Sequence, residues 1–368
     1  MISTSPQQKT RVIVGMSGGV DSSVTALLLH QQGHDVRGIF MKNWEDYPDR
    51  PCPAAQDALD ALNVCEKIGI PMDAVNFSND YWAKVFDYFL AEHRRGRTPN
   101  PDILCNKEIK FKVFLDYALA QGAAYIATGH YARISYRDGL YRLLKARDGN
   151  KDQTYFLYTL GQAQLAKSLF PLGDYVKPEV RKIAALADFN NSGKKDSTGI
   201  CFIGEKNLKA FLGRYLPSNP GPLCALDGEQ IGMHDGLMFY TIGQRQGLGI
   251  GGRRESTSEP WYVIRKDLQS NTLFVAQGNH HPELYSQRLQ ASELHWTSGT
   301  PPLTPLRCAA KTRYRQVDAA CIIESIDQDV CSVVFDKPQW AVTAGQSIVF
   351  YLGDECLGGG SIDHIQNN

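Results

Sequence analysis

Residues 11–33 read "RVIVGMSGGVDSSVTALLLHQQG", and the fold follows from how this stretch is punctuated. Val12, Ile13 and Val14 form a short continuous apolar run, the pattern of a strand buried in a parallel sheet. Ser17-Gly18-Gly19-Val20-Asp21-Ser22-Ser23 interrupts the run, and Val24, Leu27 and Leu28 then recur at helical spacing. A Gly-rich turn between a strand and a helix offers successive backbone N–H groups to an anion, with the positive end of the helix behind them. Ser17, Ser22 and Ser23 add hydroxyl donors. No lysine stands in the loop, so it is not the usual P-loop. Asp21 repels a phosphate unless a Mg²⁺ bridges the two.

Outward from this loop, residues 11–132 alternate strand and helix. "VIVGM", "VRGIFMKNW", "MDAVNF" and "AYIATGHYARI" read as four strands. Residues 21–33, 53–69, 79–93 and 106–121 read as helices, with Leu59, Leu62 and Cys65 on the apolar stripe of the second. Such alternation predicts an α/β domain with a parallel sheet, whose ligands bind beyond the carboxyl ends of its strands. The opening loop and Thr128-Gly129-His130 both fall at that edge. After about residue 205 the text changes. "NPGPLCALDGEQIGMHDGLMFYTIGQRQGLGIGGRR" is Gly-rich with short apolar runs and reads as a small, mostly β module. From about 280, "LRCAAKTRYR", "AACIIESI", "CSVVFD" and "QSIVFYL" predict a compact C-terminal β-barrel. The boundaries read as 1–206, 207–278 and 279–368. Gly247 to Gly252 matches G-x-G-x-x-G, but "RRESTSEPW" after it opens no helix, which removes the dinucleotide reading.

Composition narrows the class. Hydrophobic residues make up 43% of the 368, enough for normal cores, and the first ten residues contain no signal-peptide pattern. Lys plus Arg equals Asp plus Glu at 39 each, so net charge predicts no polyanion partner and does not exclude one, since local patches such as Arg94–Arg97, Arg253–Arg254 and Lys311–Arg315 matter more than the sum. Nine cysteines without a C-x-x-C pair argue against a zinc ribbon and for a cytoplasmic protein with reduced thiols. Cys65, Cys308, Cys321 and Cys331 read as core residues. Cys105 reads differently. With Asp102 as N-cap it lies in a helix's first turn beside Lys107, which favours its thiolate, and Asp102 shares its face as an acid/base partner. Cys201 stands in "DSTGICFIGE" after Lys194 and Lys195, in a Gly/Ser-rich loop suited to receiving cargo. On their own, His130 reads as a strand-end histidine, Lys151 and Asp152 as an exposed pair, and Arg313 and Tyr314 as an exposed barrel strand.

The loop resembles the pyrophosphate loop of the N-type ATP pyrophosphatases, which split ATP into AMP and pyrophosphate. The set "GMSGGVDSS", "TPNPDILCNKEIKF", "ATGHYAR", "KDQTYFLY", "DSTGICFIGE", "TIGQRQGLGIGG" and "KTRYRQ", in this order, resembles the tRNA-specific 2-thiouridylase family. That resemblance implies a pyrophosphatase domain, a central tRNA-contacting domain and a β-barrel. It implies ATP and Mg²⁺, and 2-thiolation of the wobble uridine in the anticodon loop. ATP would meet Gly15, Met16, Ser17, Gly18, Gly19, Val20, Asp21 and Ser22, with Met41 and Gly129 on the nucleotide. Asn100, Pro101 and Asp102 would meet the target base. Cys105 would be the nucleophile and Cys201 the persulfide carrier, the two closing a redox disulfide. His130, Lys151, Asp152, Gln153, Arg313, Tyr314 and Gln346 would touch tRNA. The family further implies a cytoplasmic monomer supplied with sulfur by a cysteine desulfurase through a relay protein. Two rivals stay open. A small-molecule ligase or amidotransferase would use the same loop but leaves the paired cysteines unexplained, and a non-catalytic ATP-binding RNA adaptor has no need of Asp102 with Cys105.

Overall fold

The computed structural model describes residues 9–45, 53–196, 208–250 and 259–367. Within these, three sheets form. The first is five-stranded, in the order β3-β2-β1-β4-β7, from β1 (Arg11–Met16), β2 (Asp35–Lys42), β3 (Met72–Asn76), β4 (Tyr125–Ala127) and β7 (Ser168–Leu169). Every pairing in it is parallel. Val12, Ile13 and Val14 are fully buried, as the apolar run requires. The strand order reverses between β1 and β4. That switch point opens a crevice at the strands' carboxyl ends, and both the loop at Ser17 and Thr128-Gly129-His130 sit there.

Helix α1 (Val20–Gln31) follows the loop directly, and α2 (Pro53–Ile68) covers the same sheet. Cys65 is buried in that core, but Leu59 and Leu62 point out, at 54% and 38% exposure. The stripe facing the sheet is instead Ala61, Val64 and Cys65. The helical stretches 78–94 and 101–120 pack the other core, where Val85, Phe86, Phe89, Ile109 and Phe114 are buried. Both contain π-helical turns, Trp82–Phe86 and Cys105–Val113, the second with a non-helical Phe111. Such wide turns recur where a helix is bent around a functional site.

The fourth predicted strand is divided. Only Tyr125–Ala127 belongs to the parallel sheet. After Thr128-Gly129-His130 the chain forms a hairpin, β5 (Arg133–Arg137) and β6 (Leu140–Leu144), and β6 pairs with the last strand of the chain, Glu355–Asn367. The periodicity was right for extended backbone but carried no information about which sheet it joins. Six further strands, 285–296, 306–311, 319–327, 330–340, 347–352 and 355–367, close into an antiparallel barrel through the pairing of the first with the last. Its core holds Cys308, Cys321 and Cys331, all buried. The small central sheet runs Trp261–Asp267, Thr272–Gln277, Gly221–Cys224, Gln230–His234. No strand leads into Gly247. Among the described residues no helix is long and apolar enough to cross a membrane.

The three units are tied together next to the site. Arg97 bridges Glu92 at 2.6 Å and barrel Asp363 at 2.7 Å. Gln346 Nε2 donates to Thr98 O at 2.7 Å, and Thr98 N donates to Ala344 O. Lys266 of the central sheet donates to Gly96 O at 2.8 Å, just past the end of helix Asp87–Arg94. Its enclosure holds the ammonium down to about 8. His93 is 3% exposed and meets Met238 O at 3.1 Å. Burial drives the His93 imidazole down to about 4, against a smaller upward pull from that carbonyl and a further push down from Lys266.

This makes the joint acid-sensitive. Because the folded His93 pKa lies below the unfolded value of 6.5, the stabilisation is complete above pH 6.5 and is withdrawn as pH falls toward 4. The shift corresponds to roughly 3 kcal/mol. Thermal melts at pH 7, 5.5 and 4 should show a steeper loss for the wild type than for His93→Gln. Parallel curves would place the acid sensitivity elsewhere.

Candidate active site

The loop after β1 is shaped by contact with the chain around it. Gly18 adopts φ +72°, and a Cβ there would lie 2.2 Å from Asp57 O, so only glycine fits. Gly19 caps α1 without a side-chain partner, leaving the helix's first N–H groups to the crevice. Ser22 and Ser23, the expected hydroxyl donors, are engaged within the loop itself. Their hydroxyls turn back onto Gly19 O at 3.1 and 2.9 Å, and both side chains are buried. Ser17 stays at the surface of the crevice and contacts Ser22 Oγ at 3.2 Å.

A cavity of about 690 Å³ opens here. Ser17, Gly19, Val20 and Asp21 form one wall, and Asn100, Pro101 and Asp102 another. Lys151, Gln153, Tyr314 and Gln346 complete it from the region after β6 and from the barrel. Eleven of the residues singled out from sequence therefore face one space. Others do not line it. Gly15 and Met41 pack on each other beneath the loop, where a Gly15 Cβ would stand 3.1 Å from Met41 Cε. Met16, Gly18, Ser22 and Gly129 support the loop from behind.

The Asp102 reading needs correction. The N-cap is Asn100, whose Oδ1 accepts from Asp102 N and Ile103 N at 3.1 and 3.4 Å, with Pro101 at the first helical position. Capping by Asn100 leaves the Asp102 carboxyl to the cavity. Burial raises its pKa, and Lys110 only partly opposes this. Cys105 consequently lies beyond the first turn, and its side chain is 4% exposed within the aromatic and aliphatic core. Cys201 lies outside the described residues.

The remaining RNA-contact candidates are engaged within the protein. His130 is buried, its Nδ1 is 2.7 Å from Thr128 Oγ1, and desolvation holds it well below its ordinary pKa. Asp152 is not part of an exposed pair. It is 5% exposed and accepts from Ala146 N and Thr154 Oγ1, fixing the turn that presents Lys151 and Gln153. Arg313 is no exposed strand residue. Its guanidinium donates to Ile242 O and Ala341 O, joining the central and barrel units, and burial lowers its pKa. Tyr314 packs against Phe156 on the cavity wall, with ring centroids 4.4 Å apart and the planes tilted by 49°.

Sequence reasoning missed how the loop acquires its cations. Lys177, at the start of helix Lys177–Leu186, places Nζ 2.8 Å from both Asp21 oxygens. Tyr131 OH donates to Asp21 Oδ1 at 2.9 Å. Lys194 donates to Gly18 O and to Asp57 and Asp60, and Asn191 Nδ2 donates to Gly18 O at 3.0 Å. The lysines absent from the loop thus come from 150 and more residues downstream. The charge-dense "KKDS" was visible as a sign, but only in relation to Cys201.

Comparison with known proteins places the chain. A family profile described as "tRNA methyl transferase HUP domain" matches residues 10–205. Profiles for a "tRNA methyl transferase PRC-barrel domain" and an "Aminomethyltransferase beta-barrel domain" match 209–277 and 286–362. The tRNA-specific 2-thiouridylase of Nitrosococcus oceani is 60% identical over 96% of this chain and 97% of its own length. That of Geobacillus thermodenitrificans is 57% identical over 98% and 96%. The chain belongs to the tRNA-specific 2-thiouridylase family. Among solved structures, the U34-tRNA thiolase NcsA of Methanococcus maripaludis, with its [4Fe-4S] cluster, is 17% identical with a TM-score of 0.36, over 57% of this chain and 65% of that one.

For this family member the state of Asp102 gives a test. A folded pKa above the unfolded 3.8 means that the ionised carboxylate is disfavoured in the fold, at a cost that appears as pH rises through 3.8 and beyond. Asp102→Asn should therefore melt at a higher temperature than the wild type at pH 7, with the gain gone below pH 4. If Asp102 moves a proton, turnover should fall about 100-fold or more. A variant less stable at pH 7 would contradict the burial argument.

Proposed function

We propose that this chain is an ATP-dependent tRNA-uridine 2-sulfurtransferase that thiolates the wobble uridine, with Cys201 as sulfur carrier and Cys105 as nucleophile. The observation that carries the reading is the one cavity in which the Gly-rich loop at the α1 N-terminus faces Asn100, Pro101 and Asp102. Family membership over nearly the whole chain supports the same activity.

The residues present fit ATP. Uncapped helix N–H groups and Ser17 face the cavity, and Lys194 and Lys195 line it. Asp21, whose oxygens Lys177 holds here, is the residue that would hold a Mg²⁺, which would offset the charge of the phosphates; among the described residues no group of three or more acidic, His or Cys side chains converges. The unstacked base of an anticodon loop, flipped into the cavity, meets Asn100 and Asp102.

The uridine C2 oxygen attacks the ATP α-phosphorus and pyrophosphate leaves, which makes AMP the leaving group at C2. The terminal sulfur of a Cys201 persulfide bonds to C2 and AMP departs. The Cys105 thiolate attacks the Cys201 sulfur, breaks the S–S bond of the adduct and leaves sulfur on the base. A Cys105–Cys201 disulfide results, and a two-electron thiol reductant resets it. Sulfur reaches Cys201 from a cysteine desulfurase through a relay protein.

The test is radiolabelled sulfur transfer to purified tRNA, with ATP omitted as control and nucleotide products separated. AMP and pyrophosphate are expected. Cys201→Ser should abolish labelling of the protein while tRNA-dependent pyrophosphate release persists, and Cys105→Ser should load sulfur but not deliver it. ADP as the main product, or full thiolation by Cys201→Ser, would overturn the proposal.

A further inference from the structure

Asp21 is reached from the 151–153 segment by two chains of contacts. In one, Gln153 exchanges hydrogen bonds with both backbone groups of Tyr131, whose hydroxyl donates to Asp21. The other is ionic. Lys151 Nζ lies 2.6 Å from Asp196 Oδ2. Asp196 Oδ1 lies 2.7 Å from Lys177 Nζ and 2.9 Å from Arg181 Nη2. Lys177 Nζ in turn holds both Asp21 oxygens. One carboxylate is thus shared by three cations, and one cation by two carboxylates. Lys177 is 9% exposed, so its charge is resolved by these two partners rather than by water.

We propose that Asp196 is a positioning residue through which RNA bound at Lys151 strengthens Mg²⁺–nucleotide binding at Asp21. The inference rests on the sulfurtransferase reading. A phosphate that takes Lys151 must take it from Asp196. Asp196 then has one cation fewer, and the repulsion between Lys151 and Lys177 across it disappears. Lys177 moves its share of charge toward Asp196 and away from Asp21. The Asp21 carboxylate becomes available to a divalent cation, from which Lys177 otherwise shields it. The effect exists because RNA distinguishes the two arrangements. By linkage, nucleotide must strengthen RNA binding by the same factor. Partial exposure of Asp196, at 33%, puts that factor at the lower end of usual couplings, about five- to tenfold.

Calorimetric titration with a non-hydrolysable ATP analogue and Mg²⁺, with and without a synthetic anticodon stem-loop, tests this on the full chain. In the wild type, saturating RNA should tighten nucleotide binding about five- to tenfold. Asp196→Asn should bind both ligands singly with a coupling factor near one, and Asp196→Glu should restore part of it. The sharpest arm is Lys151→Met, which mimics the RNA-bound arrangement. It should weaken RNA binding yet tighten nucleotide binding in the absence of RNA. That gain is not what loss of a structural contact produces. Unchanged or weaker nucleotide binding by Lys151→Met, or wild-type coupling in Asp196→Asn, overturns the proposal. If Asp196→Asn melts below the assay temperature, the Lys151→Met arm still decides. Failure of the wild type to bind nucleotide or RNA at all would instead defeat the functional reading beneath it.

Discussion

The contact on which the site depends is a backbone-to-backbone one. A Cβ on Gly129 would stand 2.8 Å from both Asp21 C and Ser22 N. The end of β4 is therefore pressed against the first turn of α1, at a distance no side chain permits. This closeness puts Tyr131, two residues on, within reach of Asp21, and brings the Thr128–His130 pair under the site. Beyond this contact the chain leaves the parallel sheet and forms β5 and β6. The cavity-facing loop and the hairpin that leads toward the barrel thus meet at one close backbone contact.

The cavity walls come from parts of the chain far apart in sequence, and the ties between units are located where they fix those walls. Thr98 is held by the barrel through both its N–H and its carbonyl, two residues before the Asn100 cap. Arg97 is anchored to Asp363. Asn100 and Asp102 are thereby referred to the barrel as much as to their own helix. The same barrel contributes Tyr314 and Gln346 to the wall.

How much of this was legible depended on the range of the interaction. The β1–loop–α1 unit could be read directly, because apolar run, glycines and helical stripe are adjacent and each follows from local physics. The sheet class and the β character of the last third followed from periodicity. What escaped was set by partners distant in sequence. Asp102 and Asn100 are both good caps, and the bonds that Asn100 Oδ1 accepts from Asp102 N and Ile103 N show that Asn100 takes the role. Leu59 and Leu62 fit a helical stripe, but the sheet presents its groove to Ala61, Val64 and Cys65. Lys177 is an unremarkable residue in "DYVKPEV" until its ammonium is found on Asp21. Arg313 reads as a surface cation, and its carbonyl partners Ile242 and Ala341 lie on other elements.

The β5–β6 hairpin bears on how the chain is made. Leu143 and Leu144 take their strand partners from Cys356 and Glu355, and Arg142 its carboxylate from Glu355. On a ribosome adding roughly 5–20 residues per second, the interval between the two is on the order of 10–40 s. During it, the hairpin has an open edge while the parallel sheet beside it can already close. The first unit thus reaches its finished form only when the barrel does. The interval gives a chaperone or an RNA time to meet an incomplete molecule, and it makes cutting the chain between the units a cut through a sheet rather than through a linker.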